Sequence, residues 1–514
     1  MKWWPFGKKK KDAQARSYQA AMFDRLVADW VSSGASADAE IKASLTAMRN
    51  RSRQLARDDD YYSNILRLFE VNVVGKGMEF QCQIRNQRGG DLNTAANDKI
   101  ETEWYRWAKA SSCDAAGKLT FAEIQKIGVR ATVQDGDIFI RKIKQAFGKS
   151  KVQASLELIE ADLCDENYNE ILPNGNIVKM GVEFSANGWG RPLAYHFFTR
   201  HPGENGPYAY AGDRNRIRIP AEEIIHLFDP KRAKQTRGVP RLASSMMPLH
   251  HIKGYREAEV IAARASSALM GFIETSDELQ GDDVQDGQRV TEFEPGVFKQ
   301  MRPGEKVNVP QINRPGNQFQ PFMEVLLRGV SAGAGISYEC TSKDYSKSTY
   351  SSARQALLED RDNYRVMQTW LIEKLNQPVF EFWLEQAVMS RVISLPRYFQ
   401  EPELYHESIR WMPRGWNWID PSKEVKANSD AVRAGFLTQS DVVAQMGGDF
   451  EELVLARDRE VKLAKKFDLK FDSDPASDAG NNVEPITENN DNEEPVMPEG
   501  NEDKNAFLLS EKTH

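Results

Sequence analysis

Gly329-Val-Ser-Ala-Gly333 matches G-x-S-x-G, the turn that presents a nucleophilic serine in many hydrolases. That chemistry needs a buried strand before Ser331, a helix after it and a histidine base. The residues preceding Ser331 have a helical period, and only His406 and His514 lie downstream. Small residues at a helix end produce the same match, so no catalytic residue is assigned, and a serine hydrolase or protease built on Ser331 is kept as the enzymatic alternative. The cysteines Cys82, Cys113, Cys164 and Cys340 are widely spaced, with no C-x-x-C and no histidine at ligand spacing. Free thiols in a reducing compartment are expected. His196 with His201 and His250 with His251 are the close histidine pairs, and neither has carboxylate or thiol company in the sequence, so no metal is expected. No G-x-x-x-x-G-K-[ST] loop is present and no G-x-G-x-x-G follows a strand, so neither ATP hydrolysis nor a cofactor is expected. The carboxylate groups Asp58 to Asp60, Asp282/Asp283 and Glu451/Glu452 read as solvated charge.

These residues sit in a chain of 514, long enough for two to four compact units. A hydrophobic fraction of 40% and a charged fraction of 28% are those of a globular protein. No run of about 18 apolar residues is present, so no membrane partner is expected. MKWWPFGKKKK places lysines after aromatic residues with no apolar run following, unlike a secretory signal. The net charge of −7 conceals an asymmetry. Asp472 to Asp503 holds eleven acidic residues and no Lys or Arg, and removing those eleven charges leaves the rest at +4. Such a tail cannot bury enough apolar area to offset ordering entropy and is expected to be disordered.

In chain order, a basic-aromatic arm runs into a weakly helical segment with Met22, Leu26 and Trp30. Ser36 and Glu40 then mark a helix start, and Arg49, Arg51, Arg53 and Arg57 read as a solvated helix face rather than a nucleic-acid site. Another helix covers Tyr61 to Val74, and one near Asp98 to Lys109 carries Trp104, Tyr105 and Trp107. Strands are expected at Ile138–Arg141, Leu156–Ile159, Asn176–Lys179 and Val182–Phe184, with Asn174-Gly175 and Asn187-Gly188 as hairpin turns. This is an antiparallel β unit, and His196 reads as a strand residue facing away from Tyr195. A helix from about Arg241 to Phe272 is Ala- and Ser-rich in its second half. A small loop-and-strand insertion, Thr275 to Gln318, separates it from an amphipathic helix whose apolar face is Phe322, Val325, Leu326 and Val330, with Glu324 and Arg328 opposite.

The connector Ser331 to Thr349 is rich in Gly, Ser and Thr and is expected to be mobile and exposed, with Lys343 and Lys347 set against Glu339 and Asp344. From Tyr350 the stripe Ala353, Leu357, Tyr364, Met367, Leu371 and Leu375 predicts a long helix capped near Ser351 or Ser352 and kinked or broken at Pro378. Residues 395 to 421 are aromatic and Pro-rich; residues 422 to 466 read as two or three charged helices.

Seven stretches, in order, resemble the lambda-type portal proteins of tailed bacteriophages. They are Ser36-Ala-Asp-Ala-Glu-Ile, Asn72-Val-Val-Gly-Lys-Gly, Gly190-Arg-Pro-Leu-Ala-Tyr-His-Phe, Gln235-Thr-Arg-Gly-Val-Pro, Ala258-Glu-Val-Ile-Ala-Ala-Arg, Tyr345-Ser-Lys-Ser-Thr-Tyr-Ser-Ser-Ala-Arg and Gly415-Trp-Asn-Trp-Ile-Asp-Pro. The resemblance spans about residues 36 to 465; Arg241 departs from it, standing where several members carry an aromatic residue.

The resemblance implies an α+β portal fold, with long helices, a mainly antiparallel β wing and a small clip, assembled as a ring that is typically a dodecamer. It would divide the chain into an N-terminal basic arm and helices (1–60), wing (61–240), stem helix (241–272), clip (273–318), second stem helix (319–336), tunnel loop (337–349), long wing helix (350–394), crown (395–470) and acidic tail (471–514). The implied function is a non-enzymatic channel at one capsid vertex for packaging and ejecting double-stranded DNA, in a protein assembled in the host cytoplasm and resident in the virion. Implied partners are the terminase large subunit, a head-completion or connector protein, and the major capsid and scaffold proteins. Lys343, Tyr345, Ser346 and Lys347 would face DNA in the tunnel; Arg289, Lys299, Arg302 and Lys306 would dock the motor at the clip. A few balanced lysines suit a pore, because each tight phosphate contact would hinder translocation. A nucleic-acid-binding structural protein without a pore is the remaining alternative.

Overall fold

The computed structural model describes residues 34–85, 92–204, 215–267, 272–275, 305–308, 318–416, 421–446, 448–467 and 469. The expected arm with Met22, Leu26 and Trp30, most of the 273–318 insertion including Arg289, Lys299 and Arg302, and the acidic tail lie outside the described residues.

The N-terminal helices are α1 (Ala37–Lys42), α2 (Leu45–Asp58) and α3 (Asp60–Phe69), the last prolonged by a π turn, Glu70–Val74, that stops at Gly75. Ser36 accepts from the Ala39 N–H, as the sequence predicts for a cap, and Asp59 accepts from the Tyr62 N–H at 2.8 Å. Asp59 is therefore a buried helix cap, not part of a solvated acidic run. Strand β1 (Glu79–Cys82) leads to α4 (Thr94–Trp107), the short α5 (Ala110–Cys113) and α6 (Phe121–Gln134), which starts on a Thr120/Glu123 capping box.

The β unit is antiparallel, as expected, but forms two sheets. Strands β2 (Asp137–Ile143) and β3 (Ser155–Ile159) belong to one. Strands β4 (Glu170–Ile171), β5 (Ile177–Lys179), β6 (Val182–Phe184), β7 (Pro192–Phe198) and β8 (Arg216–Pro220) form a five-stranded meander, and β9 (Ile224–Phe228) returns to pair with β2 in the order β3-β2-β9. Gly175 and Gly188 adopt φ of +82° and +77°, the positive values their hairpin turns require. Phe139, Ile159, Val182, Tyr195, Phe197, Ile219 and Ile224 fill a small core of the β unit.

Helix α7 (Met246–Ser267) is followed by β10 (Phe272–Thr275), which pairs antiparallel with β11 (Glu305–Asn308), and the chain returns as α8 (Phe319–Ala334). After α9 (Tyr338–Ser342) comes α10 (Tyr350–Leu371), a π turn at Ile372–Asn376, and α11 (Gln377–Met389). Of the kink or break expected at Pro378, the break is absent. A proline lacks the N–H that an α-helix requires, and the widened turn just before it lets the helix continue. Then come α12 (Glu403–His406), β12 (Ile409–Met412), α13 (Pro421–Arg433) and α14 (Gln439–Gln445), the last on a Thr438/Asp441 capping box.

Strand β12 pairs with β1, Cys82 opposite Ile409, joining segments more than 300 residues apart. At that junction lies an aromatic cluster in which Trp104 stands 5.2–5.3 Å from Phe80, Phe121 and Trp383, largely edge to face. Separately, α15 (Phe450–Lys466) is an amphipathic helix with Lys465 and Lys466 in its last turn.

Candidate functional site

Helix α8 turns a different face inward from the one its sequence suggests. Met323, Glu324, Leu327, Val330, Ser331 and Ala334 are buried, whereas Phe322 and Val325 are 48% and 65% exposed. Stripes 322/325/326/330 and 323/327/330/334 both have helical spacing, and period alone does not choose between them. Packing against α7 and α9 does. Ser331 lies inside this helix and donates to the Leu327 carbonyl at 2.8 Å. The G-x-S-x-G match is thus a helix interior with none of the strand-turn-helix geometry of a nucleophile elbow.

The connector is ordered. Gly335 closes α8 in the left-handed region, φ +69°, and the Ile336 N–H returns to the Ser331 carbonyl. Asn363 on α10 donates to the Gly335 carbonyl at 2.6 Å, and Asp360 accepts from both the N–H and the hydroxyl of Ser337 at 2.7 Å. Asn64 on α3 donates to the carbonyls of Cys340 and Thr341, both at 2.9 Å. Thus α9 is fastened from two helices, a property invisible in its Gly- and Ser-rich composition because every partner is distant in sequence. Thr349 then caps α10 with Ser352 at the third helical position, two to three residues before the expected cap.

Between Lys343 and Thr349 the loop is held by side chains. Asp344 accepts from the N–H and hydroxyl of Ser346 and from the Tyr338 hydroxyl. Ser348 donates to Glu339 at 3.4 Å. The acid that Lys347 meets lies outside the connector: its ammonium sits 2.6 and 2.9 Å from the two carboxylate oxygens of Glu324 on α8. Hydrogen bonding by Lys347 and then Gln320 holds the Glu324 carboxyl below its usual range. Lys343 is exposed in the left-handed region, φ +61°, and Tyr345 is 53% exposed beside the exposed Ser346. Of the four cations assigned to the 273–318 insertion, only Lys306 lies among the described residues, in β11 opposite Glu274.

A second constellation is built around Gln235-Thr-Arg-Gly-Val-Pro. The Arg237 guanidinium is fully buried, its Nε 2.6 Å from Asp137, and donates to the carbonyls of Ala161, Cys164 and Met180. Asp137 also meets Arg49 at 3.3 Å, His226 at 3.2 Å and the Gly238 N–H at 3.2 Å. Burial would raise the Asp137 carboxyl, but the Arg237 and Arg49 charges win and hold it far below the normal range. Arg49 is 1% exposed and also contacts Asp162 and Glu166, while Arg53 pairs with Asp135 and Asp162. The solvated-face reading therefore holds for Arg51 and Arg57 and fails for Arg49 and Arg53. A Cβ on Gly238 would stand 2.0 Å from the Gly136 carbonyl, so two backbones cross where no side chain fits.

One of the two histidine pairs, His196 and His201, has carboxylate company after all. His196 is buried 3.3 Å from Glu183, which also binds Arg218, and His201 Nε2 stands 3.4 Å from Glu160 and 3.7 Å from Asp162. A metal on Glu160, Asp162 and His201 is nonetheless disfavoured. The Gly203 N–H donates to His201 Nδ1, which places the ring proton on the Nε2 a metal would need, and Asp162 already serves two arginines. Cys82, Cys113 and Cys164 are buried, and burial pushes the Cys113 and Cys164 thiols up to about 12, far from a reactive thiolate. A groove of about 700 Å³ beside β2 and α11 mixes Arg141, Lys142 and Lys144 with Glu222, Glu223, Glu381 and Glu385 without a converging reactive set.

The model for phage portal proteins of the lambda family matches residues 23–368. The chain is similar to the probable portal protein of Halomonas phage phiHAP-1, 28% identical over 501 residues and covering 94% of each chain. It is 24% identical over 469 residues to the portal protein of Escherichia phage N15, covering 84% of this chain and 87% of that one. Among solved structures, a chain from the neck of a native gene transfer agent (GTA) particle computed with C12 symmetry gives a TM-score of 0.42 at 14% identity, covering 77% of this chain and 93% of that chain. The two relatives are named as portal proteins, not as enzymes.

Proposed function

Because the chain belongs to the lambda family of phage portal proteins, we propose that its copies close into a ring, typically a dodecamer, at one capsid vertex and that double-stranded DNA enters and leaves through it. The family match over residues 23–368 carries this reading. The α7–α8 pair, with its intervening β10–β11 ribbon, and the short segment between α8 and α10 support it, because they suit a stem, a clip and a constriction. Residues 61–240 are then the wing, 241–272 and 319–336 the stem, 273–318 the clip, 337–349 the tunnel loop, 350–394 the long wing helix and 395–470 the crown. The N-terminal arm and acidic tail contact scaffold or capsid during assembly in the host cytoplasm. The clip docks the terminase large subunit through Arg289, Lys299, Arg302 and Lys306, and later a head-completion protein.

Helix α8 leaves the hydrolase alternative without its elbow, since Ser331 is hydrogen-bonded within the helix. A packaging assay with assembled proheads tests the docking assignment. Replacing the four clip cations by alanine is expected to lower motor-dependent DNA uptake by at least about tenfold while rings still form, as loss of several charged interface contacts would. Undiminished uptake contradicts the assignment.

A further inference from the structure

The segment 343–349 carries two lysines in unlike states. Lys347 is gripped by both oxygens of Glu324, whose side chain is only 10% exposed and also receives Gln320 Nε2 at 2.9 Å. Arg328, one helical turn on, lies 3.8 Å from the same carboxylate and covers the Tyr338 ring at 5.4 Å; the Tyr338 hydroxyl in turn reaches Asp344. One carboxylate on α8 thus ties down the far end of the loop and, through Arg328 and Tyr338, its near end. Lys343 caps α9 with an exposed side chain that makes no ion pair or hydrogen bond among the described residues. Two cations four residues apart are therefore not equivalent. Among the described residues, Lys347 has its charge answered and Lys343 has not.

We propose that Glu324 is a positioning residue for this loop: it neutralises Lys347, whose own side chain remains 62% exposed, in an ion pair, and leaves Lys343, flanked by Tyr345, as the unneutralised cation presented to DNA. The latch stands on the geometry alone, whereas the statement about DNA rests on the channel reading above. A loop built this way offers one uncompensated cation per subunit instead of two, which lowers the grip that would slow translocation. It also fixes the pose of the loop before DNA arrives, so no ordering cost falls on each passing phosphate.

Amine acylation of the full-length, DNA-free protein, read by peptide mass spectrometry, tests the latch. An amine held by a carboxylate must leave it before it reacts, so Lys347 is expected to react about three- to fivefold more slowly than Lys343, as an ion pair with one exposed partner would give. In Glu324→Gln, Lys347 rises to within about twofold of Lys343, with Lys343 itself unchanged; Glu324→Asp retains part of the protection. Equal rates in the unmodified protein, or no change in Glu324→Gln, would overturn the latch. The DNA statement is tested by comparing filled with emptied particles. DNA is expected to slow acylation of Lys343 and leave Lys347 as it was. Slowing of Lys347 alone, or of neither lysine, overturns the DNA statement, and the DNA-free measurement then still decides the latch.

Discussion

Asp137 is the residue on which most depends locally, since it answers two buried guanidiniums and orients a buried histidine. Removing one partner of such a set leaves uncompensated charge, so Asp137→Ala is expected to destabilise the protein by about 3–5 kcal/mol in chemical denaturation. A loss below about 1 kcal/mol would mean that the network contributes little. His226 gives the same site a pH dependence. Burial outweighs its bond to Asp137 and lowers its pKa below the usual value, so the folded state keeps it neutral. The unfolded chain then binds more protons as pH falls through about 6.5, and stability is lost on acidification. Melting temperature is expected to fall between pH 7 and pH 5, and His226→Gln should flatten part of that fall. An unchanged slope would assign it to other groups, of which His196, also lowered chiefly by burial, is the first candidate. The sequence displayed every member of this network, but its acids and bases come from segments 88 and 100 residues apart, so Arg49 passed for a surface charge.

Elements were most legible where their signals are local. Ser36 as a cap, Gly175 and Gly188 in hairpin turns and the stripe Tyr364, Met367, Leu371 and Leu375 all stand where spacing placed them. Less was legible where a choice depends on a remote surface. The rotation of α8 follows from α7 and α9, the β1–β12 pairing joins distant segments, and the connector owes its order to Asn64, Asp360 and Asn363. Continuity through Pro378 is a further case, because a π turn has no sequence signature comparable to the proline it accommodates. The start of α10 offers a direct test. Thr349→Ala removes the cap at the junction of loop and helix and is expected to cost about 0.5–2 kcal/mol, with faster amide exchange over the first turn of α10. Exchange unchanged at residues 350–353 would show that the loop contacts, not the cap, hold the helix start.

For the whole molecule, ring closure requires different surfaces on one subunit to meet, since head-to-tail contacts close into rings when the rotation between subunits allows it. The family match places the chain among phage portal proteins, and the resemblance read from seven short stretches pointed to the same family. One of those stretches carries a visible backbone constraint, since Gly238 crosses Gly136 where no side chain fits. The most direct test of the ring is the mass and shape of the purified full-length protein, by light scattering with negative-stain imaging, alone and after co-expression with capsid and scaffold proteins. A closed ring of about a dozen subunits around a central hole is the predicted result. A monomer or compact dimer under both conditions would contradict it.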